Sequence, residues 1–351
     1  MMSSTLIKVF LPAVLAFGLG IAITPFFTKY FYQFKLWKRI SRDDQEAMSE
    51  AFKKIHDEKT ETGTPRVGGI IIWVTTLLVV VGMFFFSKWA VDPVWKRLDF
   101  LSRGQTLLPI AALVFGSLFG LFEDFLEIFV DKFSFFRQGL SKKYLISSVA
   151  VIGLLAACWF YFKLGMDYIH VPFMGDIHLG WFFIPVFVVV VLGTFSSRVI
   201  DGIDGLAGGV MAIAFASFGV IAYTKSFIDI AALCFVITGG ILAFLWFNIP
   251  PARFYMGETG MLGLTLALAV IAFMTNSVLI LPIVGILLVI TSATSFIQII
   301  SKKYFGVKVF RIAPLHNNLL LMGWSREKIT MRYWVISLMM AAVGVIIAIV
   351  G

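Results

Sequence analysis

The sequence predicts an all-α integral membrane protein, and three observations carry that expectation. The chain is 60% hydrophobic and only 14% charged, it holds 37 phenylalanines, and apolar runs of membrane-spanning length recur along it. An uncharged run of about 20 residues carries a helix across roughly 30 Å of hydrocarbon. Strands of a membrane barrel would be about half as long and would alternate apolar with polar residues, which these runs do not. The expectation is a single polytopic domain over residues 1–351, built from about ten transmembrane helices, with connecting loops too short to fold alone.

The first run, 9–27, follows Lys8 and so has the look of an export leader. No small-x-small cleavage site with soluble chain behind it follows, and the run is expected to be retained as a span. Residues 28–66 are the longest polar stretch, with a short polar helix expected through 42–58. Spans then follow at 67–87, 105–122, 144–162, 179–197, 205–224 and 228–247. The apolar sequence beyond 258 is too long for one span, so a tight turn at Met274-Thr275-Asn276-Ser277 is inferred, dividing it into 259–276 and 278–300. A second large polar segment, 301–332, leads into the last span, 332–350. Cys158 and Cys234 lie inside apolar spans without ligand-spaced neighbours and are expected to be packing residues. Neither a solenoid period nor a low-complexity tract is visible.

Lys and Arg set the orientation. With the N-terminus outside, 22 of the 29 basic residues fall in the inner segments 28–66, 123–143, 198–204, 248–258 and 301–332. This bias accounts for most of the formal charge of +9. The remainder suits a protein that works beside anionic lipid on phosphate-bearing substrates, and nothing points to nucleic acid. The expected location is the bacterial inner membrane.

Acidic residues gather at the same edge: Glu123-Asp124 at the end of the third span, Asp201 and Asp204 between the fifth and sixth, and Glu258 before the eighth. Carboxylates near lipid are costly unless they pair, bind a metal or face water, so several at one depth suggest a cation-dependent site on the cytoplasmic side. Phosphoryl transfer needs such a set, because Mg²⁺ takes a few carboxylate oxygens together with substrate phosphates and water. Gly202, Gly205, Gly208 and Gly209 allow close approach of backbone to a ligand at the start of a helix, where free amides suit phosphate. The plainer readings are solvated span ends for Glu123-Asp124, turn residues for Asp201 and Asp204, and a helix cap for Glu258. A transporter would also carry membrane acids.

The ordered strings narrow this. GTPRVGGI at 63–70, FGLFEDF at 119–125, GLSKKY at 139–144, RVIDGIDGLAGG at 198–209, FLWFN with PPARFYMGETG at 244–260, APLHNN at 313–318 and GWSREKITMRYW at 323–334 resemble the polyprenyl-phosphate N-acetylhexosamine-1-phosphate transferase superfamily. They are most similar to its phospho-N-acetylmuramoyl-pentapeptide transferase branch, over about four-fifths of the chain. KIHDEKTETGTPR at 54–66 also resembles the N-acetylglucosamine-1-phosphate branch. The resemblance implies ten helical spans and a Mg²⁺ cofactor. It also implies transfer of a phospho-sugar from a UDP-amino-sugar donor to undecaprenyl phosphate, with release of UMP. A muramoyl-pentapeptide donor is expected; the alternatives are a UDP-N-acetylglucosamine-type donor for another surface glycan, or a catalytically silent member. A homodimer is left open.

Position by position, the resemblance makes Glu123, Asp124 and His316 catalytic, and it assigns metal to Asp124 and Glu258. Asp201, Asp204, Tyr255, Arg198 and His56 are expected to bind substrate, with Tyr255 stacking on uracil. Several residues depart from the family pattern. Glu123 and Glu258 replace Asp, Arg198 replaces Asn, Glu127 and Leu145 replace Lys, and Asn317 and Asn318 replace His. Arg198 and Lys143 are expected to supply the cations lost at 127 and 145.

Overall fold

A computed structural model of the protein describes residues 2–37, 63–129 and 142–351. Among them, ten helices are long and apolar enough to cross a membrane. They are α1 (Met2–Gln33), α2 (Ile70–Trp89), α3 (Leu107–Ile128), α4 (Lys142–Cys158), α5 (Phe183–Ser196), α6 (Leu206–Thr224), α7 (Ile228–Asn248), α8 (Gly257–Met274), α9 (Ile286–Ile300) and α10 (Arg326–Val350). Tighter or looser helical turns extend α4 to Lys163, α5 to Ile200 and α9 to Phe305.

Most spans fall where the apolar runs lie, but four boundaries differ. Helix α3 runs to Ile128 instead of ending at 122, because Glu123 and Asp124 are buried inside the bundle and do not mark a solvated end. Helix α1 continues through Pro25 to Gln33. Helix α9 begins at Ile286, after a short helix Leu281–Val284 and a break at Gly285. Helix α10 begins at Arg326, where the Ser325 hydroxyl accepts from the Lys328 amide at 3.3 Å, a side-chain cap that admits polar residues into the first turn. The division of the long apolar run is where length placed it. α8 ends at Met274 and Asn276 turns the chain with φ +49°. The polar helix expected through 42–58 lies outside the described residues.

One element was not anticipated: an antiparallel hairpin of β1 (Tyr168–Val171) and β2 (Gly175–His178) between α4 and α5. Its strands are four residues each, too short for a pattern of alternation to stand out.

Helix α8 is the axis of the bundle. Every residue from Thr259 to Phe273 is buried, as expected of a helix that is apolar all round. It packs most extensively on α3, while α7 lies between α1 and α6, and α10 covers α6. The α3–α8 crossing is close because Gly120 has no side chain; a β-carbon there would collide with the Glu258 carbonyl. Phe26, Phe85, Phe115, Val189, Phe296 and Val335 face outward, which suits contact with lipid chains. At the end of the bundle away from the acidic residues, Lys225 joins two turns. Its Nζ donates to the carbonyls of Thr275 and Asn276 and to the Ser277 hydroxyl at 3.1, 3.2 and 2.9 Å.

Candidate active site

Asp124, Asp201 and Asp204 converge on one short segment that runs from the end of α7 into the first turn of α8, where Glu258 stands. Asp124, on α3, accepts the Glu258 amide on Oδ1 at 3.0 Å and the Thr259 amide on Oδ2 at 2.9 Å. A helix start leaves these amides without intrahelical partners, so Asp124 caps α8 from another helix, and its charge lies at the positive end of the α8 dipole. Asp201 accepts the Gly257 amide at 3.1 Å, and Asp204 accepts the Ala252 amide at 3.1 Å. Each of these two aspartates uses one oxygen on backbone and keeps a second. Gly257 has φ +70°, and a β-carbon there would collide with the Arg66 carbonyl, so this turn requires glycine.

The GTPRVGG segment closes the other side. The Tyr255 amide donates to the Pro65 carbonyl at 2.8 Å, and the Gly68 and Gly69 amides donate to the carbonyls of Tyr255 and Met256, both at 2.9 Å. Tyr255 is thereby fixed at its backbone, with its ring half-buried beside Thr64 and Asp204. Burial and then the Asp204 charge raise the Tyr255 phenol above its ordinary value, opposed by Thr64, Arg66 and Arg326. Burial pushes the Asp201 carboxyl up to about 6, against the Gly257 amide and the Arg66 charge.

Two ion pairs bracket the acids. Arg198 Nη1 pairs with Glu258 Oε1, and Arg66 Nη1 pairs with Glu127 Oε2 at 3.2 Å. The second oxygens of Glu123 and Glu258 are buried without a hydrogen-bond partner among the described residues. His316 is buried on the short helix Leu315–Leu321, with its imidazole over Gly202, where a β-carbon would meet Nε2 at 2.7 Å. The side-chain oxygens of its neighbours Asn317 and Asn318 are likewise buried without partners there.

The structure therefore brings together Glu123, Asp124, Arg198, Asp201, Asp204, Tyr255, Glu258 and His316; His56 lies outside the described residues. Sequence reading missed the residues that hold this arrangement. Asn248 accepts the Gly205 amide at 2.9 Å and donates to the Phe254 carbonyl at 2.8 Å. Thr330 and Trp334, on α10, donate to the carbonyls of Asp204 and Gly205, both at 3.2 Å. All three stand in strings singled out above, FLWFN and GWSREKITMRYW, so the available signal was their presence in those strings.

Among the described residues no three His, Cys, Asp or Glu side chains are arranged to hold a metal ion by themselves, so the chain offers part of a shell, as a cation of the magnesium type requires. Such an ion takes one or two carboxylates and completes its shell with water and substrate phosphate. Two buried carboxylate oxygens without partners, on Glu123 and Glu258, meet that need. Asp124, also expected to hold metal, has both oxygens engaged by amides and keeps a lone pair on each.

Comparison with known proteins places the chain among named relatives. The family model described as glycosyl transferase family 4 matches residues 106–276, which contain most of the site. A phospho-N-acetylmuramoyl-pentapeptide-transferase from Listeria monocytogenes is 34% identical over 300 residues, covering 84% of this chain and 87% of the relative. Proteins of the same name from Thermoanaerobacter sp. and Chloroflexus aurantiacus are 31% and 28% identical, over 94% and 98% of this chain and 96% and 90% of their own lengths. With 34% identity to such a relative over 84% of its length, the chain belongs to glycosyl transferase family 4.

Proposed function

We propose that this protein transfers phospho-N-acetylmuramoyl-pentapeptide from its UDP donor to undecaprenyl phosphate, releasing UMP and forming the first lipid intermediate of peptidoglycan synthesis. The observation that carries the reading is the meeting of Asp124, Asp201, Asp204 and Glu258 on the α7–α8 connection in a chain 34% identical to a transferase of that name. A phosphate oxygen of the acceptor attacks the sugar-linked phosphorus of the donor. The bond from that phosphorus to the bridging oxygen breaks, and UMP leaves with the oxygen. The acceptor phosphate is already largely ionised near neutral pH, so the main demands on the protein are positioning and charge neutralisation.

In this reading Tyr255 stacks on the uracil ring, and the second oxygens of Asp201 and Asp204 orient the nucleotide. His316 donates to a phosphate oxygen above Gly202. Glu123, beside Glu258, would help to hold the cation and so to position the acceptor. Magnesium, held by Glu258 and Glu123 with Asp124 behind them, would neutralise the donor diphosphate. The site opens to the cytoplasmic face of the inner membrane, where the positive-inside bias puts these loops, so the acceptor reaches it laterally from the bilayer. Asp201→Asn and Asp204→Asn test the assignment: each should abolish incorporation of labelled sugar into lipid while the protein stays folded. Full turnover in both variants would remove these residues from the site.

A further inference from the structure

We propose that Arg198 is an internal counter-ion, which holds Glu258 in the ligand-free protein and gives it up to the divalent cation when that ion binds. The inference rests on the phospho-sugar transfer reading, which calls for the cation, but it concerns a step before any substrate reacts.

The arrangement around Glu258 supports an exchange. Arg198 sits in the helical turn Ser197–Ile200, and its guanidinium reaches across to Glu258 in the first turn of α8. Both side chains are about three-quarters buried, at 21% and 25% exposure, so their attraction is only partly screened. The arginine satisfies one oxygen of Glu258, while the other oxygen and Oε2 of Glu123 are buried without partners among the described residues. The charges acting on Glu123 are those of Glu258, Arg198 and Glu127, so Arg198 serves both buried acids, with Arg66 acting in addition on Glu258. Buried anionic oxygens left in this state are costly, and a divalent ion between the two glutamates would satisfy both.

That ion and Arg198 would compete for the same carboxylate. The guanidinium is not left without a contact when it releases Glu258, because its carbon already lies 4.9 Å from the Phe195 ring while the pair is formed. Its backbone carbonyl also accepts the Asp201 amide at 3.1 Å, so the displaced charge stays beside the loop that carries Asp201 and Asp204. A donor diphosphate bound there would give it a new partner.

The test is a titration of the full-length protein in lipid nanodiscs with Mn²⁺ alone, without donor or acceptor, following free Mn²⁺ by electron paramagnetic resonance. Removing the competing cation raises the fraction of protein ready to bind metal, so Arg198→Gln should bind Mn²⁺ roughly five- to tenfold more tightly than the parent. Arg198→Gln combined with Glu258→Gln should lose that gain. Arg198→Lys, which keeps the charge but lacks the planar fork, should gain about two- to threefold, and it carries the test if thermal melting shows Arg198→Gln to be unfolded. Equal or weaker binding in the Arg198 variants, or a gain that survives Glu258→Gln, would overturn the exchange. Failure of the transferase reading has a different signature: no lipid-linked product from any UDP-amino-sugar donor, with the Mn²⁺ titration unaffected.

Discussion

Asp124 has two tasks here, and replacing it with Asn separates them from a purely chemical role. Its oxygens accept the amides of Glu258 and Thr259 at 3.0 and 2.9 Å, 134 and 135 residues away, and the side chain is buried. Hydrogen bonds to an ionised acceptor contribute about 1.5–3 kcal/mol each. Asparagine keeps one acceptor but turns an NH₂ donor toward the second amide, leaving a buried N–H without a partner and removing the charge at the α8 N-terminus. The expected cost is about 3 kcal/mol, which for a chain of this size lowers the melting temperature on the order of 5 °C. Glu123→Gln is the matched control, because Oε2 of Glu123 has no partner to lose among the described residues. Both variants should lose transfer activity, but only Asp124→Asn should lose stability. Differential scanning fluorimetry of the purified proteins, run beside the incorporation assay, reads both effects. An inactive Asp124→Asn that melts with the parent would refute the capping role.

Asp201, raised to about 6 by burial, makes transfer pH-dependent: the initial rate of lipid labelling by the parent protein should fall as pH drops through about 6. The stability sign is opposite. The folded state holds this proton more tightly than the unfolded chain, with its ordinary value of 3.8, so the stabilising contribution of Asp201 is full below about 4, declines up to about 6 and is gone above that. Tyr255→Ala should weaken donor binding by about 1–3 kcal/mol if the ring stacks on the base, measurable by calorimetry with the UDP donor. Gly257→Ala should abolish transfer and lower the melting temperature, because the new β-carbon meets the Arg66 carbonyl at a positive φ; a fully active variant would contradict the turn geometry.

Much of the fold was legible because a membrane imposes a simple rule of length and polarity on each helix. The turn at Asn276 follows from that rule even without a strong breaker. The end of α3 did not follow, because the rule treats Glu123 and Asp124 as polar ends, whereas in the bundle they are buried and Asp124 is paired with backbone. The hairpin at 168–178 escaped because four-residue strands carry too little pattern.

The site residues were legible as an ordered set of strings, but their mutual roles were not. Nothing in the sequence says that Asp124 and Asp201 would each hold a backbone amide in the first residues of α8, since that depends on which helix ends meet. The Arg198–Glu258 pair was hidden for the same reason: Arg198 was read as a phosphate ligand and Glu258 as a metal ligand, and their contact lies 60 residues apart in the chain.

The central claim is transfer of the muramoyl-pentapeptide phosphate, and one incubation tests it. Purified protein is mixed with Mg²⁺, undecaprenyl phosphate and radiolabelled UDP-N-acetylmuramoyl-pentapeptide, or in parallel with labelled UDP-N-acetylglucosamine. The predicted result is label extracted into lipid from the muramoyl donor, with one UMP released for each lipid formed. Label entering lipid only from UDP-N-acetylglucosamine, or from neither donor under conditions where a working relative is active, would contradict it.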